Sequence, residues 1–265
     1  MPASEHRNEY EGLLVDLREG ALWLTLDQPE TFNALTGEMV LGLIEHLRAA
    51  VTRDEVRVVV VTGSGAAFSA GADLTGDAPQ DKYDATAVDA ANALIRAVVD
   101  CDKPVVCGLN GVAAGVGMSA ALACDLVVAT ASAALTLGFT RIGLMPDGGA
   151  TATVAAAVGR ARAMRLALLS DLISAQEAFD AGLVSHVFAD DDYAEGLGKI
   201  VRRLAAGPPL AQAATKKAVN AATLDRLPDA FQRERAGQAV LLRSADAAEG
   251  MKAFNEKRRP DFEGR

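Results

Sequence analysis

Four consecutive valines, Val58 to Val61, constrain this chain most. A β-branched run without polar alternation reads as a strand buried on both faces, the situation of a covered parallel sheet. The run leads into small residues, TGSGAAFSAGADL, ending at Leu74. A second segment repeats the theme. Residues 103–125, KPVVCGLNGVAAGVGMSAALACD, pass from a short apolar strand through a Gly/Ala turn into an apolar helix. Backbone N–H groups at a helix start are unpaired, with the positive end of the helix dipole behind them. Gly111, Gly115 and Gly117 keep that turn thin enough for a ligand to approach the main chain. One such turn alone reads as tight helix–sheet packing. Two strand-then-glycine segments can present two N–H groups to a single oxygen atom, a backbone-built site for developing negative charge.

Around these segments the chain alternates strands and helices. Residues 13–17 and 21–26 read as a hairpin about Arg18-Glu19-Gly20, and residues 36–51 have helical spacing with Thr36 as cap. Further strands are predicted at 56–62, 105–109 and 126–129, and helices at 86–100 and 118–123. This recurrence predicts an α/β protein with parallel pairing. Residues 75–83, TGDAPQDKY, are polar and turn-rich and read either as a loop over a site or as a solvated connection. Gly207-Pro208-Pro209 is the clearest punctuation. Beyond it the pattern is helical to about Asn255, with Pro228 between two helices.

A formal charge of −9 and a pI near 4.9 argue against a nucleic-acid surface, which needs a basic face. Cys101, Cys107 and Cys124 have no metal-ligand spacing, and an odd number suits buried, reduced thiols better than a disulfide framework. The polar start, MPASEHRNEYEG, lacks the apolar stretch of a secretory signal. Residues 104–139 are apolar, but Asn110, Asp125 and several glycines interrupt them, so no transmembrane span is expected. The expectation is a cytoplasmic protein with no nucleic-acid or membrane partner.

Six ordered blocks carry a resemblance: PETFNALT at 29–36, AFSAGADL at 67–74, the 103–125 segment, RIGLMPDGG at 141–149, SAQEAFDAGLV at 174–184 and EGMKAFNEKRRPDF at 249–262. Together they resemble the enoyl-CoA hydratase/isomerase (crotonase) family. The resemblance implies a spiral of repeated ββα units over residues 1–203 and a C-terminal helical module over 204–265. That module would pack across subunits in a trimer or a dimer of trimers. It implies acyl-CoA thioesters as substrates, coenzyme A entering as part of the substrate, and no metal or redox cofactor. By the same resemblance the N–H groups of Ala72 and Val116 form an oxyanion hole for the thioester oxygen. Loss of one donor of that kind typically costs about 100- to 1,000-fold in rate. Ala34, Ala70, Gly71, Asp73, Leu74, Gly115, Phe139, Phe254 and Lys257 fall at substrate- or CoA-binding positions. Asp73 and Asp125 also read as structural residues at element ends, and Lys257 as part of a solvated cationic tail with Arg258 and Arg259.

Hydratases of the family carry two glutamates. At those positions this chain has Ser119 and Phe139, neither of which can act as a general base near neutral pH. Asp147, in MPDGG, remains. Family members that shift a double bond often carry a carboxylate here, and one carboxylate suffices to take a proton from one carbon and return it to another. An aspartate before Gly-Gly is also an ordinary turn former, or a cap for the helix through Val158. The expected reaction is an enoyl-CoA double-bond shift with Asp147 as proton carrier and Ser119 as polar neighbour. Hydration of a 2-enoyl-CoA and non-catalytic acyl-CoA binding are the alternatives.

Two other classes fit poorly. TGSGAAF lacks the full G-x-G-x-x-G of a dinucleotide turn, and none of Tyr10, Tyr83 and Tyr193 is followed four residues later by lysine. Ser69, Asp147 and His186 follow the chain order of an α/β-hydrolase triad, but Ser69 lies eight residues beyond Val61, too far for a nucleophile elbow.

Overall fold

The computed structural model describes residues 7–74 and 83–265. The polar loop predicted at 75–83, apart from Tyr83, lies outside the described residues.

The chain enters through β1 (Arg7–Tyr10), β2 (Leu13–Arg18) and β3 (Ala21–Leu26), paired antiparallel in succession. The predicted hairpin closes where Arg18 faces Ala21, with Glu19 and Gly20 both at positive φ. β1 was not expected, because its polar sequence, RNEY, carries no apolar alternation. Helix α1 (Gly37–Thr52) begins as predicted at Thr36, whose hydroxyl accepts from the Met39 N–H.

From there the chain climbs in ββα turns. The first runs β4 (Val58–Gly63), β5 (Ala67–Ser69), α2 (Ala85–Asp100). The second is β6 (Val105–Leu109), β7 (Val112–Ala114), α3 (Val116–Ala123). The third is β8 (Leu126–Thr130), β9 (Ala134–Thr136), α4 (Ala150–Leu169), the last broken just after Val158 at Gly159, which sits at φ 73° and ψ 166°. After β10 (Ile173–Ser174) and α5 (Ala175–Ala181), strand β11 (His186–Phe188) pairs parallel with β8. One strand of each turn joins a seven-stranded sheet ordered β1-β2-β3-β4-β6-β8-β11, and the other joins a four-stranded sheet ordered β10-β9-β7-β5. Parallel pairing holds from β3 through β11 in the first sheet and from β5 through β9 in the second. The α/β spiral of ββα units is therefore present.

The four valines behave as their sequence demands. Val59 and Val61 face the main core with Leu22, Leu24 and Leu47, while Val58 and Val60 face a smaller cluster with Leu197 and Val201. Those last two belong to α6 (Tyr193–Ala205), which covers the second face. All three cysteines are free and buried.

After Gly207-Pro208 come α7 (Pro209–Thr223), α8 (Leu227–Leu241) and α9 (Ala245–Asn255), with Pro228 in the first turn of α8, where a missing N–H costs nothing. Helix α7 is tied down by Lys216, whose Nζ meets Asp125 Oδ2 at 2.9 Å and the carbonyls of Val98 and Lys103. Helix α8 packs on α2 and α4, and α9 on the short 3₁₀ turn Phe139–Ile142. Among the described residues no helix is long and apolar enough to cross a membrane.

Candidate active site

The two glycine turns meet. A Cβ placed on Gly71, which sits at φ +91°, would lie 2.7 Å from the Ala114 carbonyl oxygen, so only glycine lets the turn after β5 approach the turn after β7. Leu35 N–H donates to the Gly71 carbonyl and holds Ala72 in a parallel bridge with Leu35. Gly115, at φ 54° and ψ −132°, donates its N–H to the Thr136 carbonyl and leads into α3, so Val116 occupies the first helical position. An N–H at that position has no acceptor within its own helix.

Ala72 and Val116 border one cavity of about 610 Å³. Ala70, Leu74, Gly115 and Phe139 share its lining, Phe254 reaches it from α9, and α2 contributes Ala87, Ala91 and Leu94. Ala34, Gly71, Asp73 and Lys257, also predicted, are not among its lining residues. Ala34 and Gly71 are buried next to the turn, and the Asp73 carbonyl accepts from the Tyr83 hydroxyl at 2.6 Å. Lys257 is exposed just past α9. Ser119 is fully buried, and its hydroxyl donates to the Asp147 main-chain carbonyl at 2.8 Å, so it braces the Asp147 turn instead of facing the cavity.

Asp147 lines the cavity and is only 8% exposed. Gly148 and Gly149 follow at φ 63° and 74°, two successive left-handed residues that turn the chain sharply into α4. The Asp147 carboxylate does not cap that helix. The cap comes from Glu234 of α8, fully buried, which accepts from the N–H groups of Gly149 (2.7 Å) and Thr151 (2.9 Å) and from the Thr151 hydroxyl. One turn later on the same helix, Gln238 Nε2 donates to Asp147 Oδ2 at 2.8 Å. Asp147 Oδ1 is buried without a hydrogen-bond partner among the described residues. Burial pushes the Asp147 carboxyl up to about 7, against the lowering effect of the Gln238 bond and with a further rise from the Glu234 charge. Burial also raises Glu234, opposed by its three donors.

Sequence reasoning missed Glu234 and Gln238. Their signal was present: on α8 the buried positions Leu227, Ala230 and Phe231 continue at helical spacing through Glu234 and Gln238, two polar groups on an otherwise apolar stripe. The hydrolase triad is excluded by geometry. Ser69 is fully buried, its hydroxyl donates to the Asn33 carbonyl and accepts from the Gly71 N–H, and the exposed His186, the first residue of β11, pairs with the Ser185 hydroxyl. Among the described residues there is no cluster of three or more metal-ligating side chains.

Comparison with known proteins places this arrangement. The family model for enoyl-CoA hydratase/isomerase matches residues 16–265. A Rhodobacter capsulatus protein named "Probable enoyl-CoA hydratase" is 42% identical over 258 residues, covering 97% of this chain and 99% of its own. The 1,2-epoxyphenylacetyl-CoA isomerase of Escherichia coli is 37% identical over 262 residues, covering 96% and 99%. The crystal structure of an enoyl-CoA hydratase from Mycobacterium avium subsp. paratuberculosis superposes with a TM-score of 0.90 at 45% identity, covering 96% of this chain and 99% of that one. With the ββα spiral, the paired glycine turns and a match across nearly its whole length, the chain belongs to the enoyl-CoA hydratase/isomerase family.

Proposed function

We propose that this protein is an acyl-CoA isomerase that moves a double bond in an enoyl-CoA thioester through a single carboxylate. The observation that carries the reading is Asp147. It is the one carboxylate among the described residues lining the cavity, it is poised near neutral pH, and Oδ1 has no competing partner. In this reading the thioester oxygen sits between the N–H groups of Ala72 and Val116. Ionised Asp147 takes a proton from Cα of a 3-enoyl thioester, and the resulting dienolate holds its charge on the oxygen facing those donors. The carboxylic acid then returns the proton to Cγ, leaving the 2-enoyl thioester and an ionised Asp147. One proton moves and no water is consumed. A base of pKa about 7 suits both halves, because the group must be a competent acceptor first and a competent donor second.

The same reading is supported by what stands at the positions of the family's hydratase glutamates. Phe139 is apolar, and the buried Ser119 hydroxyl is already spent on the Asp147 carbonyl, so neither activates a water. The Escherichia coli relative is named an isomerase of an epoxide, not of an enoyl thioester, while the Rhodobacter and Mycobacterium relatives are named as hydratases. Coenzyme A would leave the cavity past Phe254 toward Lys257, with the C-terminal helices of a trimer completing the site. Product analysis tests the reading. Conversion of a 3-enoyl-CoA to its 2-enoyl isomer is expected. Water addition to a 2-enoyl-CoA without isomerisation would favour a hydratase, and tight acyl-CoA binding without turnover a non-catalytic binder.

A further inference from the structure

Gln238 is almost fully buried, and both ends of its amide are committed. The Met145 N–H donates to its Oε1 at 3.3 Å, and its Nε2 donates to Asp147 Oδ2 at 2.8 Å. A backbone N–H can pair only with the amide oxygen, so Met145 fixes which way the amide faces and compels the NH2 toward Asp147. Glu234, one turn earlier on α8, clamps the other side of the same loop at Gly149 and Thr151. The turn from Met145 into α4 is thus gripped by one helix at both ends, with Asp147 between.

We propose that Gln238 is the positioning residue of the site: oriented by Met145, it occupies Oδ2 of Asp147 so that Oδ1 alone exchanges protons in the cavity, and it favours the ionised base. A donor to a carboxylate stabilises the charged form. Among the described residues, the polar and charged groups that share the cavity or the turn with Asp147 are few. Helix α8 brings Glu234 and Gln238, α3 brings the Ser119 hydroxyl to the main-chain carbonyl, the 3₁₀ turn brings Arg141 to the same cavity, and Tyr83 lines it with its hydroxyl committed to the Asp73 carbonyl. Helices α2 and α9 face it with apolar side chains. Glu234 raises the Asp147 carboxyl and Gln238 lowers it, both against a background set by burial.

This inference rests on the isomerase reading only in taking Asp147 as the base, and its test does not need turnover. The carboxyl of Asp147 can be titrated in the unliganded protein by 13C NMR of carboxyl-labelled aspartate, with the signal assigned by its loss in Asp147→Asn. Gln238→Met, close in size but without the donor, should move that titration upward by about one pH unit, the effect of one hydrogen bond to a charged group. Gln238→Glu keeps an acceptor for the Met145 N–H, guards against a failure of the first variant to fold, and sets two carboxyls side by side. They should titrate as a coupled pair in two steps. The rising limb of the kcat/KM–pH profile should follow the NMR shift in Gln238→Met, with KM nearly unchanged. An NMR shift in a protein that does not isomerise would leave the Gln238 assignment standing and remove the isomerase reading. A titration and pH profile unmoved in both variants, with only a lower Tm, would make Gln238 a packing residue and overturn the proposal.

Discussion

Asp147 and Gly71 carry the two halves of the proposed chemistry, and each can be tested alone. In an unfolded chain an aspartate titrates near about 3.9, whereas folded Asp147 keeps its proton to about 7. The folded state binds the extra proton over that interval, so this contribution to stability is complete below about pH 4 and is lost as pH rises through 7. Above that pH, holding the buried charge costs roughly 4 kcal/mol. Asp147→Asn keeps the size and the acceptor for Gln238 and removes the charge. Its Tm should exceed the wild-type value at pH 8 and match it near pH 4, as followed by calorimetry. Identical pH dependence in the two proteins would mean that Asp147 is not held protonated. Gly71→Ala tests the other half. The new Cβ would press on the Ala114 carbonyl from a left-handed backbone, displacing the Ala72 N–H. We expect kcat to fall about 100-fold or more, the loss typical of one oxyanion donor, and steady-state kinetics on a folded variant will check it.

At the scale of elements, the C-terminal helices are fastened to the spiral by buried polar groups. The Lys216–Asp125 pair is the clearest: Lys216 is 8% exposed at its side chain, and Asp125 also accepts from the Val105 N–H. Burial raises Asp125 and Lys216 opposes that rise. Lys216→Met leaves the aspartate without its counter-charge, and denaturant unfolding should show a loss of about 3 kcal/mol. How legible such elements were from sequence depended on the range of the interaction. The valine strand, the Thr36 cap, the hairpin at Glu19-Gly20 and the glycine turns declare themselves within a few residues. The strands of the second sheet, two or three residues each, are too short for any alternation to register, and Val112–Ala114 read as part of a turn. Gln238 meets Asp147 across 91 residues, and Glu234 meets Gly149 across 85. No local pattern announces such a meeting. The polar interruptions of the α8 stripe marked the two residues without naming their partners.

At the scale of the whole molecule, the helical tail buries only part of its apolar surface within the chain. Leu227 and Phe231 are buried, and Leu224 and Leu241 pack partly against the core, yet Val240 is 71% exposed. Leu168, Leu169, Leu172, Leu210 and Val219 are exposed as well. That much uncovered apolar surface is expected to close between subunits, and light scattering at micromolar concentration should find a trimer or a dimer of trimers. A monomer would contradict this. Arg258 of the tail is already paired with Glu249 and Glu256, so the proposed coenzyme A contact falls to Lys257, and it predicts acyl-CoA affinity that weakens with added salt in calorimetry. The central claim, that one buried carboxylate moves the proton, meets its most direct test in the turnover of a 3-enoyl-CoA by wild-type protein and Asp147→Asn, with acyl-CoA affinity measured on both. The account predicts isomerisation reduced about 100-fold or more in the variant at nearly unchanged affinity, since the lost interaction belongs to the transition state. Isomerisation by Asp147→Asn at the wild-type rate would contradict it.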